Sequence, residues 1–284
     1  MRILEKIIFV QYHSRMATKE NSLIPKIVSN FLNNTLTRQI ARKVPEVTVV
    51  FWIIKLLSTA LGESISDYLV HHYNPVFAVI GAGIVFTITI LIQLFTKKYK
   101  TWIYWLAIVM VAVFGTMAAD VVHIVLGVPY LISSIFFATA LGIIFILWYK
   151  VEKTLSIHSI VTSRRELFYW AAVITTFALG TATGDMTAIT FNLGYLTSGI
   201  LFAVLFALPL IAYKLFKADE VLTFWAAYIV TRPLGASFAD WFGRTPDLGG
   251  IGFGTGRTSI VLTIFIIIFV GYLATTHKDI KRNA

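Results

Sequence analysis

Eight apolar stretches, each about as long as an α-helix needs to cross roughly 30 Å of hydrocarbon, dominate this chain. They run at about 47–70, 75–96, 102–125, 130–149, 167–189, 195–213, 221–242 and 258–275. Each unsatisfied backbone group in lipid costs several kcal/mol, so only helices or closed barrels can span, and these runs lack the alternation of barrel strands. An all-α membrane bundle of eight transmembrane helices is the expectation. Composition agrees: 57% of residues are apolar and 13% charged, and mean hydropathy is +0.79, which excludes an ordinary soluble domain.

The net charge of +10 could point to nucleic acid, but the basic residues alternate with the spans. Lys97, Lys98 and Lys100 follow the second span, Lys150, Lys153, Arg164 and Arg165 the fourth, Lys214 and Lys217 the sixth, and Lys278, Lys281 and Arg282 the last. The connections after spans one, three and five carry no Lys or Arg, and the last holds only Arg244 and Arg257. The positive-inside rule therefore places both termini in the cytoplasm and makes the lipid bilayer, not nucleic acid, the partner. The absence of cysteine removes disulfides, thiolate metal sites and cysteine nucleophiles.

A repeat lies within the spans. Phe51-Trp52, Tyr104-Trp105, Tyr169-Trp170 and Phe224-Trp225 open four units without gaps. Ten positions after each tryptophan comes Gly62, Gly115, Gly180 or Gly235, and five further on Asp67, Asp120, Asp185 or Asp240. Each unit holds two spans, so the copies are parallel and are expected to be related by a pseudo-rotation about the membrane normal. The approximate boundaries are 45–98, 99–163, 164–218 and 219–275, after a cytoplasmic segment 1–44 and before a tail 276–284. Ile27, Phe31 and Leu32 give the first segment one apolar face, suited to a helix lying on the membrane surface. Met1 and Met16 both suit initiation, and no cleavable signal peptide is expected.

Lys43-Val44-Pro45-Glu46-Val47-Thr48 running into Phe51-Trp52, and Phe224-Trp225-Ala226-Ala227 running into Thr231-Arg232-Pro233-Leu234-Gly235-Ala236, resemble a bacterial family. That family consists of tandem two-helix membrane repeats, each marked by a tryptophan, often labelled only as membrane-anchored proteins of unknown function. The resemblance covers about residues 43–275. It implies a multi-pass protein of the bacterial inner membrane and supplies little biochemistry. Where the family pattern reads Gly-Glu-Thr-Gly-Gly-Asp, this chain has Gly62-Glu63-Ser64-Ile65-Ser66-Asp67, keeping the acids and losing the later glycines.

At about 100° per residue, the tryptophan and positions +4, +7, +11 and +15 share one helix face. That face gathers Glu63 and Asp67, Thr116 and Asp120, Thr181 and Asp185, and Arg232 and Asp240. With a tryptophan at the cytoplasmic interface, a rise of 1.5 Å per residue puts each glycine about 15 Å deep and each aspartate about 22 Å deep. An ionised carboxylate facing lipid costs about 3 kcal/mol or more, so the four aspartates should face the bundle interior or a water-filled cavity. Two roles are open to them: a cation-binding or proton-relay site, or helix-terminal groups accepting hydrogen bonds from short turns. Glu63 precedes Asp67 by four positions and His123 follows Asp120 by three, spacings that let two side chains reach one ion.

Arg232 needs a partner, and two readings are open: it pairs with Glu63, about one turn deeper on the equivalent face of another repeat, or it is the charge that repels or replaces a bound cation during transport. The glycines are read as sites of close helix approach and Trp52, Trp105, Trp170 and Trp225 as packing and interface anchors. The loop from Gly249 to Gly256 lacks the Lys-Ser/Thr ending of a phosphate loop and is read as a lid or plain connector. No hydrolase arrangement is present in the spans, so no enzyme and no cofactor are expected, although a bound cation fits the acids. The leading expectation is a transporter of a small cation, a hard metal ion or a proton-coupled substrate, with a non-transporting scaffold or sensor subunit as the alternative.

Overall fold

The computed structural model describes residues 42–280. The surface helix expected around Ile27 to Ala41 and the two candidate starts lie outside them. Among the described residues the chain is all-helical. Eight long helices follow one another: α1 (Val49–His72), α2 (Pro75–Phe95), α3 (Thr101–Asp120), α4 (Tyr130–Glu152), α5 (Ser163–Asp185), α6 (Gly194–Phe216), α7 (Glu220–Gly243) and α8 (Thr255–Thr276). Seven are long and apolar enough to cross a membrane, and α7, carrying Glu220, Arg232 and Asp240, falls below that hydropathy.

Local chemistry sets the boundaries. Thr48 Oγ1 accepts a hydrogen bond from the Phe51 amide at 3.2 Å to open α1. Asn74 Oδ1 does the same for Val76 at 3.0 Å ahead of Pro75, whose missing N–H costs nothing at a first helical position. Asp219 Oδ1 caps α7 through Leu222 N at 2.8 Å. Lys153, Lys217 and His277 end α4, α6 and α8 in the left-handed conformation. α3 and α5 each run on into one π-helical turn, Val121–Val125 and Met186–Thr190.

The four tryptophan-bearing helices form a closed ring: α1 packs against α3 and α7, and α5 packs against the same two. The second helix of each repeat lies mainly on the first helix of the next, α2 on α3, α4 on α5, α6 on α7, and α8 returns to α1. Equivalent residues make equivalent contacts around this ring. Gly62 faces Ala112, Gly115 faces Phe177, Gly180 faces Arg232 and Pro233, and Gly235 faces Thr59, each a glycine of one ring helix against the next. The aromatic residue before each tryptophan packs at a tilt against the tryptophan of the following repeat. Ring centroids are 5.5 Å apart for Phe51 and Trp105, 5.8 Å for Tyr104 and Trp170, 6.2 Å for Tyr169 and Trp225, and 5.6 Å for Phe224 and Trp52. Such pairs add about 1 kcal/mol each beyond their buried area. The aromatic girdle fills one end of the bundle, and the aspartates lie toward the other.

The outer helices bury little of themselves and present Ile84, Ile88, Ile135, Val204, Ile264 and Ile268 outward, an apolar surface too large for an aqueous setting. At the tryptophan end, segments beyond the helices are clamped by polar groups. Lys43 pairs with Glu166, which also accepts from Gln93 Nε2 at 3.0 Å. Asp279 accepts from Tyr99 Oη at 2.7 Å and Thr101 Oγ1 at 2.8 Å. Burial and then the neighbouring Asp279 push the Tyr99 phenol well above its ordinary pKa, so it stays a donor.

Candidate functional site

On α7, Arg232 is 1% exposed, and Pro233 follows it within the helix. Its Nη2 has three acceptors sharing its two protons, Glu63 Oε2 at 2.5 Å, Thr181 Oγ1 at 2.9 Å and Thr116 Oγ1, and its Nη1 approaches the Thr59 carbonyl at 3.4 Å. The four ring helices thus meet on one guanidinium. Thr116 and Thr181 pass their own protons to the carbonyls of Ala112, at 2.9 Å, and Phe177, at 3.1 Å, which leaves lone pairs for Arg232. An ion pair buried this deeply draws little net stability from attraction, because desolvating both charges offsets it, but losing one partner costs about 3–5 kcal/mol.

Beyond Arg232, the aspartates divide into two pairs. Asp67 and Asp240, on neighbouring helices α1 and α7, share Arg244: its Nη2 lies 3.2 Å from Asp67 Oδ2 and its Nε donates to Asp240 Oδ1 at 2.9 Å. Burial disfavours the charge on Arg244, but Asp240 and Asp67 outweigh it and hold its pKa above the ordinary value. The loop after α7 folds back to support this arrangement, with Gly252 N donating to the Arg244 carbonyl at 2.9 Å and Ile251 N to that of Trp241 at 2.8 Å. Gly250 sits so close to the Arg244 carbonyl that no side chain would fit there.

Asp120 and Asp185, on neighbouring helices α3 and α5, are half-buried, and no described basic residue forms an ion pair with either. Each ends its helix just before a π-helical turn, and such turns re-aim side chains at functional sites. His123 lies in the first of these turns, 8% exposed. Its Nε2 is 2.6 Å from Ser133 Oγ on α4, its ring packs edge-on against Tyr130 with centroids 4.4 Å apart, and its Nδ1 has no hydrogen-bond partner. One ligand atom from each of Asp120, His123 and Asp185 lies within 4.8 Å of the other two, and the same holds for Glu63, Asp67 and Asp240.

A model of one repeat matches four successive segments of the chain, residues 50–99, 103–154, 168–219 and 223–279. The chain belongs to the family described as Repeat of Unknown Function (DUF347). No curated protein and no solved structure matches it. Each DUF347 repeat contributes one helix to the ring and one to the outer layer, and the tryptophan, glycine and aspartate positions all fall on the ring helix.

Three residues of this arrangement have no place in the repeat register. Arg244 follows Asp240 by four positions, a helical pairing distance that could have flagged it. Ser133, which holds His123, left no signal in the sequence. Lys55 on α1 is 1% exposed, with its Nζ 4.0 Å from the ring centroids of both Phe177 and Tyr228 and no hydrogen-bond partner. A lysine three positions after an interfacial tryptophan reads as one that snorkels to water, yet this one is enclosed in the ring.

Proposed function

We propose that this protein is an integral transporter of a small cation, built as eight membrane crossings from four parallel repeats around a pseudo-fourfold axis. The tryptophan end faces the cytoplasm, where both termini lie, and the membrane is the bacterial inner membrane. The circular order of the glycine and aromatic contacts supports the rotational relation. One observation carries the transport reading. Five carboxylates, Glu63, Asp67, Asp120, Asp185 and Asp240, gather around two guanidiniums, Arg232 and Arg244, and the uncompensated pair belongs to Asp120 and Asp185. Carboxylates held in a low-dielectric setting need cations or protons to balance them.

A scaffold or sensor subunit is the second reading, and the cytoplasmic half favours it: its axis is filled by the aromatic girdle and by the basic side chains of Lys55 and Arg232, where a cation would have to pass. Vesicles carrying the purified protein separate the two. Transport predicts uptake or efflux of at least one of Mg²⁺, Mn²⁺ or protons above that of empty vesicles, and its loss in an Asp120→Asn, Asp185→Asn double variant. Flux equal to empty vesicles for all three, from protein that remains folded, would leave the scaffold reading.

A further inference from the structure

We infer that Asp120, His123 and Asp185 form a binding site for a divalent transition-metal ion, with His123 Nδ1 as the nitrogen ligand. This rests on the cation reading above and narrows it from hard ions in general to ions that accept imidazole. The acids alone would not carry it; the histidine does. Ser133 has a single hydroxyl proton, and the carbonyls of Tyr130 at 3.1 Å and Pro129 at 3.4 Å both stand where they accept it. With the proton so placed, the 2.6 Å contact runs from His123 Nε2–H to the Ser133 oxygen, which is the tautomer this site requires, with the lone pair on Nδ1. That nitrogen is buried and without a partner, a costly condition for a polar atom unless something binds it. A histidine whose other ring nitrogen is tied to an oxygen is how metal-ligating imidazoles are held, and Tyr130 fixes the ring plane from the side.

The two carboxylates complete a mixed nitrogen and oxygen set of three. Ligands at about 2.1 Å from a tetrahedral ion are about 3.4 Å apart, and one ligand atom of each of these three residues already lies within 4.8 Å of the others. The π-helical turns after Asp120 and Asp185 place both donors at helix ends that can adjust. The neighbouring triad of Glu63, Asp67 and Asp240 is different in kind: Arg232 and Arg244 already engage it, and it offers no nitrogen. An imidazole ligand favours Mn²⁺, Fe²⁺, Co²⁺, Ni²⁺ or Zn²⁺ over Mg²⁺ and Ca²⁺, which prefer oxygen alone.

The test is Co²⁺ titration of the full-length protein in detergent, followed by visible absorption, with Mg²⁺ as competitor. One equivalent of Co²⁺ should bind with a nitrogen-ligand spectrum, and a tenfold excess of Mg²⁺ should not displace it. His123→Gln and Asp185→Asn should weaken binding, and Ser133→Ala, which keeps every ligand but frees the imidazole, should do so by about 10- to 100-fold. Asp247→Asn, in the exposed loop after α7, should leave it unchanged. Absence of Co²⁺ binding to folded protein, Co²⁺ binding equally tight in His123→Gln, or displacement by Mg²⁺ would each overturn the site. Because binding is read without flux, the readings fail separately. Co²⁺ binding with no transport would keep the site and remove the transporter, whereas transport unaffected by His123→Gln, with binding unaffected too, would do the reverse.

Discussion

Arg232 reaches all four ring helices, and that makes its removal different from the loss of an ordinary ion pair. Arg232→Leu strips Glu63 of its counter-charge in a site where neither group meets water; Glu63→Leu does the same to the guanidinium. Either single variant should lose about 3–5 kcal/mol, seen as a lower melting temperature and lower membrane abundance. The double variant should recover much of that loss, because replacing both charges with apolar groups removes the desolvation cost along with the attraction. Failure of the double variant to recover stability would show that Thr116 and Thr181, left facing a leucine, matter more than Glu63. Cation flux separates a further role: recovery of both stability and flux would confine Glu63 to neutralising Arg232, whereas recovered stability without flux would make it part of the ion path.

The ring helices depend on how closely their backbones approach, and the repeat glycines differ in what they face. A Cβ on Gly62 would meet the Ala112 side chain and also its carbonyl carbon at 2.7 Å and Cα at 2.9 Å, so relief requires α1 and α3 to move apart. A Cβ on Gly115 would meet only Phe177 Cβ at 3.2 Å, which a small shift can absorb. Gly81, on α2, would meet nothing within 4 Å. Gly62→Ala should therefore cost about 1–3 kcal/mol, the usual range for overpacking a well-packed core. Gly115→Ala should cost less, and Gly81→Ala should be neutral or slightly stabilising through helix propensity. Thermal melts of the three variants give the order. Equal losses at Gly62 and Gly81 would contradict the close approach of α1 and α3.

Across the whole molecule, what recurs in the sequence was readable and what occurs once was not. The register of tryptophan, glycine and aspartate identified the ring helices and their inner faces, and the equivalence of Glu63 and Arg232 on those faces gave their pairing. Arg244, Ser133 and Lys55 break the repeat, and Arg244 divides four equivalent aspartates into two unlike pairs. The clamps at Lys43 and Asp279 were hidden because their partners, Glu166 and Tyr99, lie far away in sequence. The proposed orientation in the membrane rests on another whole-molecule property. Lys97, Lys98, Lys100, Lys150, Lys153, Lys214, Lys217 and Lys278 all lie at the tryptophan end, and the short turns between α1 and α2, α3 and α4, and α5 and α6 carry no lysine or arginine. In the proposed orientation the Lys and Arg loops are retained on the cytoplasmic side and the aspartate end lies outside. The chain has no cysteine, so one introduced thiol reports one position without background. Tyr73 and Lys97 are exposed, the first after α1 and the second after α2. In intact cells a membrane-impermeant maleimide should label Tyr73→Cys and leave Lys97→Cys unlabelled until the membrane is opened. The reverse pattern would invert the protein and place the Asp120, His123 and Asp185 cluster on the cytoplasmic side. Labelling of both in intact cells would mean that α2 does not cross, which would break the parallel relation of the four repeats.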